Sequence, residues 1–414
     1  MSYVAPSIST ISAAPETEHH DETPPRWPAR HFHSLGYTLT ILTLGSNIPT
    51  ALYGLYRAEL GFSPLTQTAI FAAYVATLVP ALFLLGPLSD RTGRRPVLLA
   101  GLAAGALGAI VLATAHTTGW LFAGRLLQGL SIGACSAAGA AALLEHVPAG
   151  HPRRAARAAT VTAAGGCALG PLWAGLAAEY LPHPLVTPYA VFVLALVPAL
   201  VTLLTLPAAA TARTPGRLLE PPRVPAPIRS VFTRAALPVA ASWAVAGLFL
   251  SVAPAWITGL LGTTNLLVGA AAASLMLVCS VVTQFSMRGL EPLTAQRIGL
   301  ACNLLGVVGL ALVGAAPNLI LLLAVTTCVG IGHGLTFAGG MQRVSAAIAT
   351  HAPDAGGSVL AAFFTCAYTG MALSSLAVGL LMNHQSATTA VTEFSIATAL
   401  VTVIALVLNI NRHG

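Results

Sequence analysis

GPLSDRTGRRPVL, Gly86 to Leu98, sets Asp90, Arg91, Arg94 and Arg95 between two long apolar runs, in a 414-residue chain of which only 7% is charged. So polar and short a stretch reads as the turn between two helices. Asp90 can attract the positive N-terminus of a neighbouring helix, and Gly93 permits a tight turn that other residues resist. Arg91, Arg94 and Arg95 can pair with acids at adjacent helix ends, and Glu145 is the expected partner. A merely topological role for these arginines explains their sign but not the aspartate and the two glycines.

Working outward, the composition makes lipid the solvent. Apolar residues are 56% of the chain, and the mean hydropathy is +0.81. A bilayer core about 30 Å thick takes about 20 apolar residues per helical crossing. Twelve such spans are expected, at about 34–56, 67–88, 96–115, 119–143, 157–180, 187–207, 235–259, 265–287, 297–315, 318–341, 356–382 and 391–410. They are twice the length of a barrel strand and lack its alternation, so they read as helices.

Charge sets the orientation. The 19 basic residues are all arginines, and all but Arg57 and Arg125 lie in or beside segments that share one side if residue 1 is cytoplasmic. Both termini are therefore expected in the cytoplasm. The basic balance follows from topology, which argues against nucleic acid as a partner, since no soluble domain carries a basic face. Cys135, Cys167, Cys279, Cys302, Cys328 and Cys366 all fall inside apolar spans without C-x-x-C spacing, so neither disulfides nor a metal site is expected. Residues 1–33 form a polar tail expected to be disordered, in which His19, His20, Glu16, Glu18, Asp21 and Glu22 read as solvated rather than as a metal site.

The chain repeats itself at about half its length. Gly129, Gly133 and Gly139 of the fourth span recur 201 residues on as Gly330, Gly334 and Gly340, and Gly166, Gly170 and Gly175 are answered by Gly370, Ser374 and Gly379. Two six-helix halves, 34–207 and 235–410, are expected on either side of a Pro- and Arg-rich cytoplasmic linker at 208–234, with 411–414 as a cytoplasmic end. The second half keeps a remnant of the charged loop in Glu291, near Arg288 and Arg297.

Gly86, Leu88, Asp90, Arg91, Gly93, Arg94, Arg95 and Leu98 occupy every fixed position of G-x-L-x-D-R-x-G-R-R-x-x-L. The segment thus resembles the loop between the second and third helices of the major facilitator superfamily. That resemblance implies an all-α membrane protein, twelve transmembrane helices in two pseudo-symmetric six-helix bundles, with this loop as a cytoplasmic latch of the outward-open state. Arg125, Gln128 and Gly129 match the R-x-x-Q-G pattern of the superfamily's proton-coupled members. An arginine at membrane depth costs about 2.5–3.5 kcal/mol unless it faces a wet cavity or an acceptor, so Arg125 should point into the bundle. The resemblance implies proton transfer or substrate charge there; the plainer alternative is a structural arginine bonding the backbone of the first helix. GCALGPLWAG, with Gly166, Gly170, Pro171 and Gly175, resembles the fifth-helix signature of the drug:proton antiporter branch, Ala174 replacing one glycine. Small residues four apart make a smooth helix face and Pro171 bends the helix, which suits a pivot but is also ordinary helix packing.

Coupling is less legible. The first span holds no carboxylate, and Glu59, Glu145 and Glu179 lie near helix ends. Asp90 can serve coupling as well as gating, and His333 in the tenth span can titrate near neutral pH, although a single histidine among glycines is more often a neutral, hydrogen-bonded one. Trp173, Trp243, Trp256, Phe249, Gln284, Asn303 and Phe337 lie at the depth of a pocket between the halves, with helix packing as each one's ordinary role. The combined expectation is a monomeric plasma-membrane carrier without cofactor, exchanging small amphipathic or drug-like compounds for protons. An importer or facilitator of a metabolite shares the same fold, and a non-transporting receptor or scaffold is the remaining class. An enzyme is disfavoured, because no nucleophile, base and oxyanion set is present.

Overall fold

The computed structural model describes residues 29–147, 152–206, 223–287 and 289–410. The polar tail before Ala29, most of the linker, Arg288 and residues 411–414 lie outside the described residues, as do the expectations placed on them.

Fourteen α-helices are described: α1 (Ala29–Asn47), α2 (Pro49–Leu60), α3 (Pro64–Thr92), α4 (Arg94–Ala113), α5 (Thr118–Glu145), α6 (Pro152–Tyr180), α7 (Thr187–Thr205), α8 (Arg229–Ser251), α9 (Ala253–Leu260), α10 (Leu266–Ser286), α11 (Pro292–Ala315), α12 (Leu319–His351), α13 (Gly356–Met382) and α14 (Ala387–Ile410). Among the described residues, eleven helical segments are long and apolar enough to cross a membrane. The missing crossing is the first, because α1 and α2 together make one broken span. Proline explains the break: Pro49 has no N–H to give to the carbonyl one turn back, so the helix ends at Asn47 and restarts at Pro49. The seventh span breaks likewise between Ser251 and Ala253, with Pro254 in the first turn of α9. Both spans were expected to be continuous. The helices also overrun the expected limits: α1 begins inside the predicted tail, α8 inside the predicted linker, and α12 runs on to His351.

Large apolar side chains such as Leu194, Leu305, Ile320 and Leu400 stand mostly exposed on the outer helix faces, as a lipid-facing surface requires. Inside, glycines let helices approach to backbone contact, and these contacts repeat. A Cβ on Gly129 would meet the Tyr74 carbonyl of α3, and one on Gly330 would meet the Met276 carbonyl of α10. Gly166 lies against the carbonyl of Thr40 and Gly370 against that of Ala240. Gly170 faces the Leu44 carbonyl, where its counterpart Ser374 donates its hydroxyl to the Ala244 carbonyl at 3.1 Å. Each partner is displaced by 200 to 202 residues, so the repeat is one of packing as well as of sequence.

Two further pairs join the halves. Gly175 on α6 lies against Ala270 on α10, and Thr68 on α3 lies against Gly379 on α13. The contacts are mutual images: each half offers one glycine and one small side chain. Both lie toward the face opposite the Gly86–Leu98 loop, called here the outer face; the loop's own side is the basic face.

Candidate functional site at the seam between the halves

At the basic face the loop is built around Gly93, whose φ of +92° is open to glycine and strained for other residues. This turn starts α4 at Arg94, and Arg94 does the clamping. Its Nε donates to Glu145 Oε1 at 2.9 Å and its Nη1 to Ser89 Oγ at 2.8 Å, and Nη1 also pairs with Asp90. The end of α3, the start of α4 and the end of α5 are thereby tied together. Arg95 goes elsewhere: it donates to the carbonyls of Leu204, at 2.7 Å, and Leu206, at 3.2 Å, and so caps α7. Arg91 makes no ion pair among the described residues. Nothing lies within 4 Å of a Cβ placed on Gly86. The loop's bonds to described residues all stay within the first half.

The second half keeps the polar character at the corresponding end. Glu291 caps α11, accepting from the backbone N–H of Leu293 at 3.1 Å and of Thr294 at 2.7 Å. Slight burial pushes its carboxyl up, but these bonds, the Thr294 hydroxyl and the charge of Arg343 outweigh it and hold the carboxyl below its ordinary range. Arg343 donates to the side-chain amide oxygens of Gln296 and Asn409.

At membrane depth Arg125 is buried, with 2% exposure. Its Nη1 donates to the Ser46 carbonyl and to Gln128 Oε1, each at 2.7 Å, while Gln128 Nε2 donates to the Gly45 carbonyl at 3.0 Å. These are carbonyls left short of donors where α1 stops before Pro49. The guanidinium also stacks on Tyr74, 4.3 Å from its ring centre. The motif residues thus serve the broken first span, the geometry of the plainer of the two readings of Arg125. Gly166 and Gly170 of α6 press on that same span, at Thr40–Thr43 and Leu44–Asn47, while Gly175 reaches across to the other half.

The outer seal is polar at its edge. Gln67 Nε2 donates to the Ser251 carbonyl, at the break of the seventh span, at 2.7 Å. Leu266 N–H donates to Glu179 Oε2 at 2.8 Å, and Leu65 N–H to Asn383 Oδ1 at 3.2 Å. Tyr74 reaches Met371 Sδ at 3.6 Å. Among the described residues, the hydrogen bonds that cross between the halves lie on this side. Gln67 escaped the sequence reading, though it could have been noticed as a neutral amide in an apolar span. The breaks carried their own signal in Pro49 and Pro254.

Of the seven residues singled out by depth, the structure brings Trp243, Phe337 and Gln284 together with His333. His333 Nδ1 is 2.9 Å from Ser280 Oγ, to which Gln284 Nε2 donates at 3.2 Å. Trp243 has ring centroids 5.8 Å from both His333 and Phe337 and 4.8 Å from Tyr368. The others disperse: Phe249 and Trp256 lie in the core of the second half, Asn303 bonds Ser242 and Thr336 inside it, and Trp173 donates to the Pro188 carbonyl.

The sequence profile of the Major Facilitator Superfamily matches residues 34–409, the whole extent of this two-half architecture. The chain belongs to that superfamily. Among solved structures, the nucleoside transporter NupG superposes with a TM-score of 0.70 at 15% identity, over 93% of this chain and 100% of that one. A bacterial homologue of the human lysosomal transporter Spinster, inward-facing and occupied, superposes with a TM-score of 0.68 at 13% identity, over 93% and 97%. At such identities the likeness concerns the fold alone. By sequence, the chain is 33% identical over 97 residues to the multidrug resistance protein MdtL of Klebsiella pneumoniae, covering 23% of this chain and 25% of that protein. MdtL of Escherichia coli matches at 34% over 97 residues, with the same coverage. The matched stretch spans a quarter of the length of these relatives.

In this member of the superfamily, the motif residues quoted from the sequence all lie on the first half, and the second half meets the seam with aromatic and amide side chains. Glu393, near the start of α14, is exposed and accepts from Gln385 at 2.7 Å; it too went unnoticed in the sequence and lies away from the seam.

Proposed function

We propose that this transporter exports small amphipathic or drug-like compounds across the plasma membrane by alternating access, in exchange for protons. The observation that carries alternating access is the outer seal. Two symmetry-related glycine contacts, Gly175–Ala270 and Thr68–Gly379, close one face, while the charged clamp of Arg94 on the other binds inside its own half. In this reading the structure is the state open toward the basic, cytoplasmic face, with both termini on that side. Rocking the halves about the seam parts the glycine contacts and frees Gln67 from the Ser251 carbonyl, and it brings the Gly86–Leu98 loop against the second half. Asp90 and Arg94 are the groups whose pairing changes on that closure.

Export is supported by the partial likeness to multidrug resistance proteins, and proton coupling by the R-x-x-Q-G residues Arg125, Gln128 and Gly129. Buried between the broken first span and Tyr74, Arg125 holds a fixed positive charge whose bonds to Ser46 must change if the break straightens. That links charge to conformation without an acid in the first span. The protein acts as a monomer with protons and a small molecule as its partners, and returns its substrate chemically unchanged.

The test is reconstitution in liposomes with an imposed pH gradient, following lumenal pH while lipophilic cations, neutral aromatics and common metabolites are added. Compound-triggered proton movement that is lost in Arg125→Ala supports antiport. Compound uptake indifferent to the gradient refutes it, and Arg125→Ala protein that is merely poorly expressed but fully coupled assigns the arginine to structure alone.

A further inference from the structure

The ring cluster on the second half presents two hydrogen-bond donors and no acceptor to satisfy them. Trp243 on α8, Phe337 on α12, and Phe364 and Tyr368 on α13 are partly exposed and stack in one group, with Phe337 6.1 Å from Phe364 and Phe364 6.5 Å from Tyr368. Trp243 and Tyr368 also pack on the core centred in the first half, so the group stands at the seam. Within it, the indole Nε1 of Trp243 and the Nε2 of His333 are buried and have no partner among the described residues. His333 is itself only 7% exposed.

The hydrogen-bond chain sets the proton on His333. Gln284 gives an N–H to Ser280 Oγ, and no backbone carbonyl among the described residues takes the Ser280 hydroxyl hydrogen. Assigning that hydrogen to His333 Nδ1 satisfies both atoms and leaves the ring proton on Nε2. Both orphan atoms are therefore N–H donors, and an indole can be nothing else. A buried donor without an acceptor is destabilising, and it is expected where a ligand supplies the missing atom.

We infer that this cluster is a substrate subsite for uncharged, planar aromatic compounds bearing a carbonyl-type oxygen. Trp243 Nε1 and His333 Nε2 donate to the oxygen, and Phe337, Phe364 and Tyr368 pack on the rings. Charge argues against a cation. The described carboxylates, Glu59, Asp90, Glu145, Glu179, Glu291 and Glu393, lie at or near helix ends, and the buried charge of the seam is the positive Arg125. The inference rests on the reading of the seam as the transport path, and it narrows the substrate class of that path.

Matched probes test it by equilibrium binding to the full-length protein in nanodiscs: 9-fluorenone, fluorene as the planar hydrocarbon without the oxygen, and tetraphenylphosphonium. The expected result is 9-fluorenone bound about tenfold more tightly than fluorene, as one good hydrogen bond gives, with tetraphenylphosphonium weakest. Trp243→Phe, which keeps an aromatic ring but removes one of the two donors, should lower that ratio. Equal binding of the ketone and the hydrocarbon by the native protein overturns the subsite, as does tighter binding of the cation. Because the native ratio is decisive by itself, a variant that fails to fold does not spare the proposal. A ketone preference in a protein that moves no protons upholds the subsite and removes antiport; proton movement evoked by other compounds, with no ketone preference, removes the subsite and leaves antiport standing.

Discussion

Adding one methyl group at Gly379 should open the outer face. A Cβ there would sit 1.9 Å from Thr68 Oγ1 and 2.9 Å from Thr68 Cβ. Thr68 cannot swing away cheaply: it is β-branched, 1% exposed, and donates its hydroxyl to the Leu65 carbonyl at 3.1 Å. Overpacking of this kind costs about 1–3 kcal/mol. The contact joins α13 of one half to α3 of the other, so the cost falls on the outer-closed state and vanishes when the halves part. Gly379→Ala is therefore predicted to shift the balance toward the outer-open state by about 5- to 150-fold. Gly170→Ala is the control. Its Cβ would meet the Leu44 carbonyl at 2.6 Å and Asn47 Cβ at 2.7 Å, but both partners lie in its own half, so it should lower the melting temperature without moving the balance. The assay is electron–electron distance measurement between spin labels at exposed Glu59 and Thr264 on the outer ends of the two halves. Lengthening in Gly379→Ala, reversed by adding Thr68→Ala, is expected; an unchanged distance in a folded variant, or an equal shift in Gly170→Ala, refutes the reasoning.

The two loop glycines should part company. Gly93→Ala, at a positive φ, is predicted to cost about 1–3 kcal/mol, whereas Gly86→Ala, inside α3 with open space around it, should stabilise by about 0.5–1 kcal/mol; thermal unfolding in detergent ranks them, and the opposite ranking discards the role given to Gly93. Asp90→Asn should insert and fold normally yet turn over slowly in liposomes, and normal turnover would remove the loop from the cycle. Glu291→Gln should lower the melting temperature at neutral pH. Since hydrogen bonds hold the native carboxyl below its ordinary range, its contribution is full above that range and fades as pH falls through the lowered value; the gap between variant and native protein should close in acid, and a gap that widens there contradicts the capping role.

Much of the fold was legible because lipid imposes it. Twenty-residue apolar runs admit helices and little else. The latch pattern was legible too, since its parts are neighbours in the chain, although Arg95 turned to the carbonyls of α7 and not to an acid. The continuity of the first and seventh spans was misjudged. Pro49 and Pro254 were visible, but proline is tolerated in membrane helices whenever a neighbour supplies the missing donor, and Arg125, Gln128 and Gln67 supply it from other helices.

What the sequence by itself determined is the class of the protein: a bundle of membrane-length apolar helices, built twice. These follow from local composition and from regularity along the chain. Which carbonyl Arg125 would hold, which half Gly175 and Gly379 would touch, and that Trp243 and His333, ninety positions apart, would meet were decided by tertiary structure alone. Contacts of that kind arise from the fit of one helix surface into another, and hydrophobic period and charge say which face of a helix is hidden but not which neighbour hides it.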